Sequence, residues 1–218
     1  MTSGQFVSNC TADAMARAAQ SLKSGSLVAF PTETVYGLGA DATNSESVAR
    51  IYAAKGRPAD HPLIVHIPDM HDAADWAAEI PDYAIALARN FWPGPMTLIL
   101  KRSALARDFI TGGQDTVGIR VPNHVIALSL LQEFKKIGGK GVAAPSANRF
   151  GHVSPTNAEA VSSELAQYLS PDDLILDGGP SMVGVESTII DCTTEKPKIL
   201  RPGAITETMI EEVTKLQL

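Results

Sequence analysis

At 218 residues, 44% hydrophobic and 19% charged, the chain has the makeup of a globule that can bury one sizeable core, which excludes a disordered chain. No apolar run approaches the ~20 residues a bilayer span requires, and the opening Met1-Thr-Ser-Gly-Gln-Phe6 lacks the basic and apolar regions of a signal peptide. A net charge of −6 argues against a general nucleic-acid binder but leaves room for a local cationic pocket. The two cysteines, Cys10 and Cys192, stand far apart in no metal-binding spacing. Reduced thiols in a cytoplasmic protein are therefore expected.

In chain order, Thr11 or Asp13 can cap a first helix that runs to about Ser24 and stops at Gly25. Leu27 to Phe30 reads as a short buried strand ended by Pro31. Asn44 or Ser45 caps a helix over 46–54, terminated by Gly56, and Leu63 to Ile67 is a strand in which His66 shares a face with Ile64. Two helical patterns follow, 69–79 and 81–91, and a Trp92-Pro-Gly-Pro95 corner feeds a strand over 96–101. Thr116 to Val121 is the clearest strand: Val117, Ile119 and Val121 point one way, and Thr116, Gly118 and Arg120 the other. Pro122 opens a helix to about Phe134. Gly141 to Ala144 is a strand, 157–168 a helix, and 174–176, 187–191 and 198–201 are three more strands before an amphipathic helix over 205–216. With no repeat or linker, this predicts one α/β domain on a mixed sheet.

Chemistry concentrates between Pro31 and Ile67. The apolar run ending at Phe30 gives way to Thr32-Glu-Thr-Val-Tyr-Gly-Leu-Gly39, and Lys55-Gly-Arg57 precedes the next apolar run. Hydroxyls, flexible backbone and two cations beside strand ends are what a pocket for a phosphorylated ligand needs. Cations favour helix C-termini in any case, which could account for Lys55 but less readily for Arg57, beyond the glycine. Arg120 sits on a strand face beside a hydroxyl and the gap left by Gly118, an arrangement suited to holding a carboxylate or phosphate. Pro145-Ser-Ala-Asn148 follows a strand end, where open α/β sheets place ligands. Five of the 18 Lys and Arg residues, Lys55, Arg57, Arg120, Arg149 and Arg201, fall in such segments. Gly138-Gly-Lys-Gly141 lacks Walker A spacing, and no nucleophile elbow, His-Glu-x-x-His or dinucleotide motif is present. Catalysis by positioning and charge neutralisation is the remaining expectation.

These segments, with Phe91-Trp-Pro-Gly-Pro-Met-Thr-Leu98, Thr116-Val-Gly-Ile-Arg-Val-Pro122, Ala144-Pro-Ser-Ala-Asn-Arg149, Gly151-His-Val-Ser154, Val185-Glu-Ser-Thr-Ile-Ile-Asp191 and Arg201-Pro-Gly203, resemble the YrdC/Sua5 family of threonylcarbamoyl-AMP synthases over most of the chain. The resemblance implies a single-domain YrdC-like fold over 1–218, with a twisted mixed sheet and flanking helices around a cationic concave pocket. It implies that L-threonine, bicarbonate and ATP yield threonylcarbamoyl-AMP and pyrophosphate, with Mg²⁺ accompanying ATP, to supply the t6A modification of tRNA. It places Thr32, His66, Arg120, the Ala144 backbone and Ser187 around threonine. Lys55, Arg57, Thr116, Ser146, Asn148, Ser154 and Arg201 are placed around the nucleotide, with Lys55 and Arg57 as the catalytic cations. Tyr36 either lines the pocket or packs, Gly37 and Gly39 shape a turn, and Glu33 is a structural acid for a nearby cation.

Longer Sua5-type members carry a further C-terminal domain, which the chain ending at Leu218 is expected to lack. The partner expected downstream is a separate tRNA threonylcarbamoyltransferase, with tRNA itself bound weakly at most and no membrane involved. Two rivals compete. One is a double-stranded RNA or tRNA binding module, weakened by the acidic balance; the other is a domain like that of the hydrogenase-maturation carbamoyltransferases, weakened by missing zinc-finger cysteines.

Overall fold

The structure is a computed structural model that describes residues 5–218; Met1 to Gly4, read above for targeting signals, lie outside it. Strand β1 (Gln5–Val7) leads to helix α1 (Ala12–Lys23), whose N-terminus is capped by the Thr11 hydroxyl accepting from the Ala14 N–H. Then come β2 (Val28–Phe30), β3 (Gly37–Asp41) and α2 (Ser45–Lys55), with Asn44 accepting from the N–H groups of Glu46 and Ser47. Strand β4 (Ile64–His66), helix α3 (Ala73–Trp76), strand β5 (Ala77–Glu79), helix α4 (Asp82–Phe91) and strand β6 (Met96–Arg102) follow. The remainder is α5 (Asp108–Thr111), β7 (Thr116–Arg120), α6 (Val125–Lys136), β8 (Val142–Ala143), α7 (Ala158–Leu165), β9 (Leu174–Leu176), β10 (Thr188–Asp191), β11 (Lys198–Arg201) and α8 (Glu207–Thr214).

The strands form one mixed sheet in the order β1-β9-β2-β3-β8-β4-β7-β6-β10-β11, with β5 added on β6. Parallel pairs such as β4–β7 and β6–β10 alternate with antiparallel pairs such as β2–β3 and β6–β7. The two-residue side-chain period separates two cores. Val28 and Phe30 face α1 and α6, packing with Met15, Leu22, Leu130 and Phe134. Ala29 faces the other way, with Leu38, Ile51, Trp76 and Leu87. Each fully buried Val, Leu, Ile, Phe or Met among them contributes roughly 1.5–3 kcal/mol relative to an exposed one. Among the described residues no helix is long and apolar enough to cross a membrane.

Several expected elements change on inspection. The helix expected over 69–79 is a 3₁₀ turn at Met70–Asp72, the four-residue α3 and then β5, because pairing with β6 outweighs local propensity. The helix expected from Pro122 starts only at Val125, with the His124 ring accepting from the Ile126 N–H. The one expected over 157–168 ends in a 3₁₀ turn at Ala166–Tyr168. Gly37 and Gly39 belong to a strand, not to a turn. A Cβ on Gly39 would lie 2.8 Å from Val142 Cγ1 and 2.9 Å from the Phe30 ring, so glycine lets β3 slide between β2 and β8.

Candidate active site

A pocket of about 120 Å³ opens where β3, β4, β7 and β8 end. Its wall contains Thr32, His66, Arg120, Ala144 and Ser187, the full set expected around an amino acid. Arg57, Ser146 and Arg201 join them from the set expected around a nucleotide. The fold explains the convergence. Parallel pairing of β4 with β7 sets His66 opposite Arg120 in register, and β8 places Ala144 beside them through the Ala144 N–H donating to the Ile64 carbonyl.

Four expected residues do not line the wall. Lys55 ends α2 and is 2% exposed; its Nζ donates to the carbonyls of Ser146, at 2.5 Å, and Asn148. Gly56, the left-handed cap at φ 62°, turns the chain sharply enough to leave Arg57 at the pocket while Lys55 stays behind it. Asn148 is buried and donates to the carbonyls of Arg149 and His152, holding their loop. Ser154 reaches the wall only through its hydrogen bond to Glu186, at 2.7 Å. Thr116, opposite Lys101 at the far end of β7, is four residues and therefore about 13 Å from Arg120. Arg149 also turns away, bonding the Ala54 carbonyl and stacking over Tyr168.

The cations are anchored on backbone oxygen. Arg57 donates from Nη2 to the Pro62 carbonyl at 2.9 Å and from Nε to the His61 carbonyl at 3.5 Å, and among the described residues its Nη1 has no hydrogen-bond partner. Arg201 donates from Nε and Nη2 to the Ser187 carbonyl at 3.0 and 2.9 Å, while Nη1 pairs with Glu186. Lys55, with two of its three donors taken, is desolvated and sits beside Arg57, which together push its ammonium down to about 8 against the pull of Glu186.

Arg120, Glu33 and His66 are held differently. Arg120 Nη2 lies 2.7 Å from Glu33 Oε1, both side chains nearly inaccessible. The two form a buried ion pair whose angles fall short of a hydrogen bond, while Arg120 Nε and Glu33 Oε2 have no partner among the described residues. His66 Nδ1 is likewise unpartnered. Burial and then the Arg120 charge push that imidazole down to about 3, so it is neutral at physiological pH. Buried donors without partners are rare and costly unless something else completes them, as a ligand would. Glu33 is the acid that pairs a cation, as its position suggested.

Tyr36 both lines the pocket and packs. It is fully buried, with its hydroxyl donating to the Gly179 carbonyl at 2.7 Å. The Thr32 hydroxyl is committed to its own turn, donating to Val35 O at 2.6 Å. Sequence reasoning passed over Glu186, the acid on the wall; its signal was an acid inside the Val185–Asp191 block, directly before Ser187.

Residues 20–203 match the family model Sua5/YciO/YrdC, described as telomere recombination. The chain belongs to the Sua5/YciO/YrdC family. A Pyrococcus abyssi relative named threonylcarbamoyl-AMP synthase is 48% identical over 90% of this chain and 56% of its own length. A Bacillus subtilis relative of the same name is 49% identical over 91% of this chain and 56% of its own. The chain thus spans little more than half the length of these curated relatives. The solved P. abyssi Sua5 complexed with L-threonine superposes with a TM-score of 0.89 at 45% identity, covering 96% of this chain and 60% of that one. The mixed α/β architecture expected for this family is the one observed.

Proposed function

We propose that this Sua5/YciO/YrdC chain makes threonylcarbamoyl-AMP from L-threonine, bicarbonate and ATP. The observation that carries the reading is the meeting, on one small wall, of a buried guanidinium whose Nε has no partner among the described residues with cations anchored on backbone carbonyls. The relatives' names and the threonine in the P. abyssi complex support the same reading. Arg120 reads the amino-acid carboxylate, and the neutral His66 ring packs beside it without adding a competing charge. Threonine nitrogen and bicarbonate form the N-carboxy anion with loss of water. A carboxylate oxygen of that anion bonds to the α-phosphorus of ATP as the bond to the β-phosphate oxygen breaks, and pyrophosphate departs. Arg57, Arg201 and, from behind the loop, Lys55 offset the charge on the phosphate oxygens; Lys55 also holds Ser146 in place.

Among the described residues no group of three or more His, Cys, Asp or Glu side chains could hold a metal ion. A Mg²⁺ ion is expected to arrive on the nucleotide, since magnesium binds largely through substrate phosphates and water. When bound it would supply charge neutralisation on those phosphates. The labile product passes to a separate tRNA-modifying enzyme, and tRNA itself binds weakly.

Pyrophosphate release from ATP tests the reading: it is expected only when threonine and bicarbonate are both present. Release that ignores threonine, or no release with all three, overturns it. Submicromolar tRNA affinity at physiological salt without any thermal shift from ATP and threonine would favour an RNA-binding module instead.

A further inference from the structure

An acid on the wall of a pocket built for phosphate is an anomaly that the reading above does not use. Glu186 lines the pocket with about a third of its side chain exposed. It accepts from Ser154 Oγ at 2.7 Å and from Arg201 Nη1, two residues that the family resemblance assigns to the nucleotide. Its field also reaches Lys55, Arg57 and, beyond the nearer Glu33, Arg120, so one carboxylate acts on four cations at the site.

The backbone under it is fixed. The Ser187 carbonyl accepts two N–H groups from Arg201, and a Cβ on Gly203 would come within 2.8 Å of the Glu186 carbonyl oxygen. Only the Glu186 side chain has room to leave, towards the open mouth. When it leaves, Arg201 keeps both backbone bonds and frees just Nη1, while Ser154 frees its hydroxyl. The two released donors are those a phosphate oxygen would take.

We infer that Glu186 is a positioning residue that stands in for a phosphate in the empty pocket, holding Arg201 and Ser154 in place and yielding them when a phosphate enters. This rests on the phosphate reading of the site. In the empty state Glu186 offsets the charge of Arg201, Arg57 and Lys55, Arg120 being paired with Glu33. On binding, its displacement lowers the apparent affinity by the fraction of molecules in which it is engaged.

The test is calorimetric titration of inorganic pyrophosphate, without divalent metal, into the wild type and Glu186→Gln, with a melting scan of each. Glu186→Gln is expected to bind pyrophosphate about tenfold more tightly, as when nine-tenths of the wild type is engaged. It is also expected to melt lower when empty and to recover with ligand. If the amide variant does not fold, Glu186→Asp, one methylene too short to hold both partners, is expected to show the same tightening to a smaller degree. Equal or weaker pyrophosphate binding by the variants overturns the inference and leaves the phosphate reading intact. So does a binding defect that appears only when the titrations are repeated with added Mg²⁺, which would make Glu186 a ligand of the phosphate's cation. Absence of binding to every form overturns both.

Discussion

The two sides of the pocket solve the problem of holding charge in opposite ways. On the strand side, His66 of β4, Arg120 of β7 and Glu33, from the loop after β2, are buried, and each has a polar atom without a hydrogen-bond partner among the described residues. On the loop side, Arg57, just past α2, and Arg201, at the very end of β11, are partly exposed and tied to the backbone carbonyls of Pro62 and Ser187, with Arg201 also paired to Glu186. A buried group cannot be rearranged cheaply, so the strand side is pre-shaped for one small ligand. An exposed, backbone-anchored cation can change one partner and keep the rest, which suits a nucleotide that arrives and a pyrophosphate that leaves.

The contrast breaks most visibly at Arg120. Arg120→Met keeps the length and strands Glu33 as a buried unpaired carboxylate, an expected loss of about 3–5 kcal/mol in denaturant unfolding together with loss of threonine binding. Adding Glu33→Gln should restore much of the stability and none of the binding. If the single variant is as stable as the wild type, the strand side is not the rigid half. Arg57→Ala is the counterpart on the loop side. Removing one charge-assisted contact to phosphate, worth roughly 1.5–3 kcal/mol, should weaken ATP binding at least about tenfold. The melting temperature should move little, and a large drop would erase the distinction.

Two pH experiments sharpen it. Lys55 is charged below about 8 and neutral above, so phosphate affinity should fall as pH rises through 8, by up to about tenfold per unit. In Lys55→Met that slope should vanish. Stability moves the other way: the unfolded lysine holds its proton up to its ordinary, higher value, so between there and 8 folding gains as pH rises. For His66, also depressed, the unfolded state takes up a proton that the folded state refuses, so stability falls as pH drops from the ordinary histidine value towards 3. At pH 5.5 this amounts to about 1 kcal/mol, the smallest of these effects, and His66→Asn should lose that share of the acid sensitivity.

Much of the scaffold was legible because periodicity and caps are local. Thr116–Arg120, the Asn44 cap and the Gly56 stop needed only neighbouring residues. What was hidden depended on distant partners. Gly37 and Gly39 read as a turn because nothing nearby shows that Phe30 and Val142 will pack on both sides of them. Lys55 and Arg57 read as one pair, yet the left-handed Gly56 between them sends one behind the wall and the other onto it. Glu186 was overlooked because an acid looks misplaced among phosphate-binding residues until its position beside Arg201 is visible.

The shortest strand has the widest reach. Only Val142 and Ala143 make up β8, yet they join β3 to β4, and their continuation through Pro145 and Ser146 is pocket wall. Val142 and Ala143 are fully buried, one in each core, so this splice opens only as the cores themselves open. Opening there dismantles the site and both cores together. Amide hydrogens of β8 should therefore exchange with solvent no sooner than those of β6 and β7. The pocket is then both a place to bind and the clasp that closes the middle of the sheet.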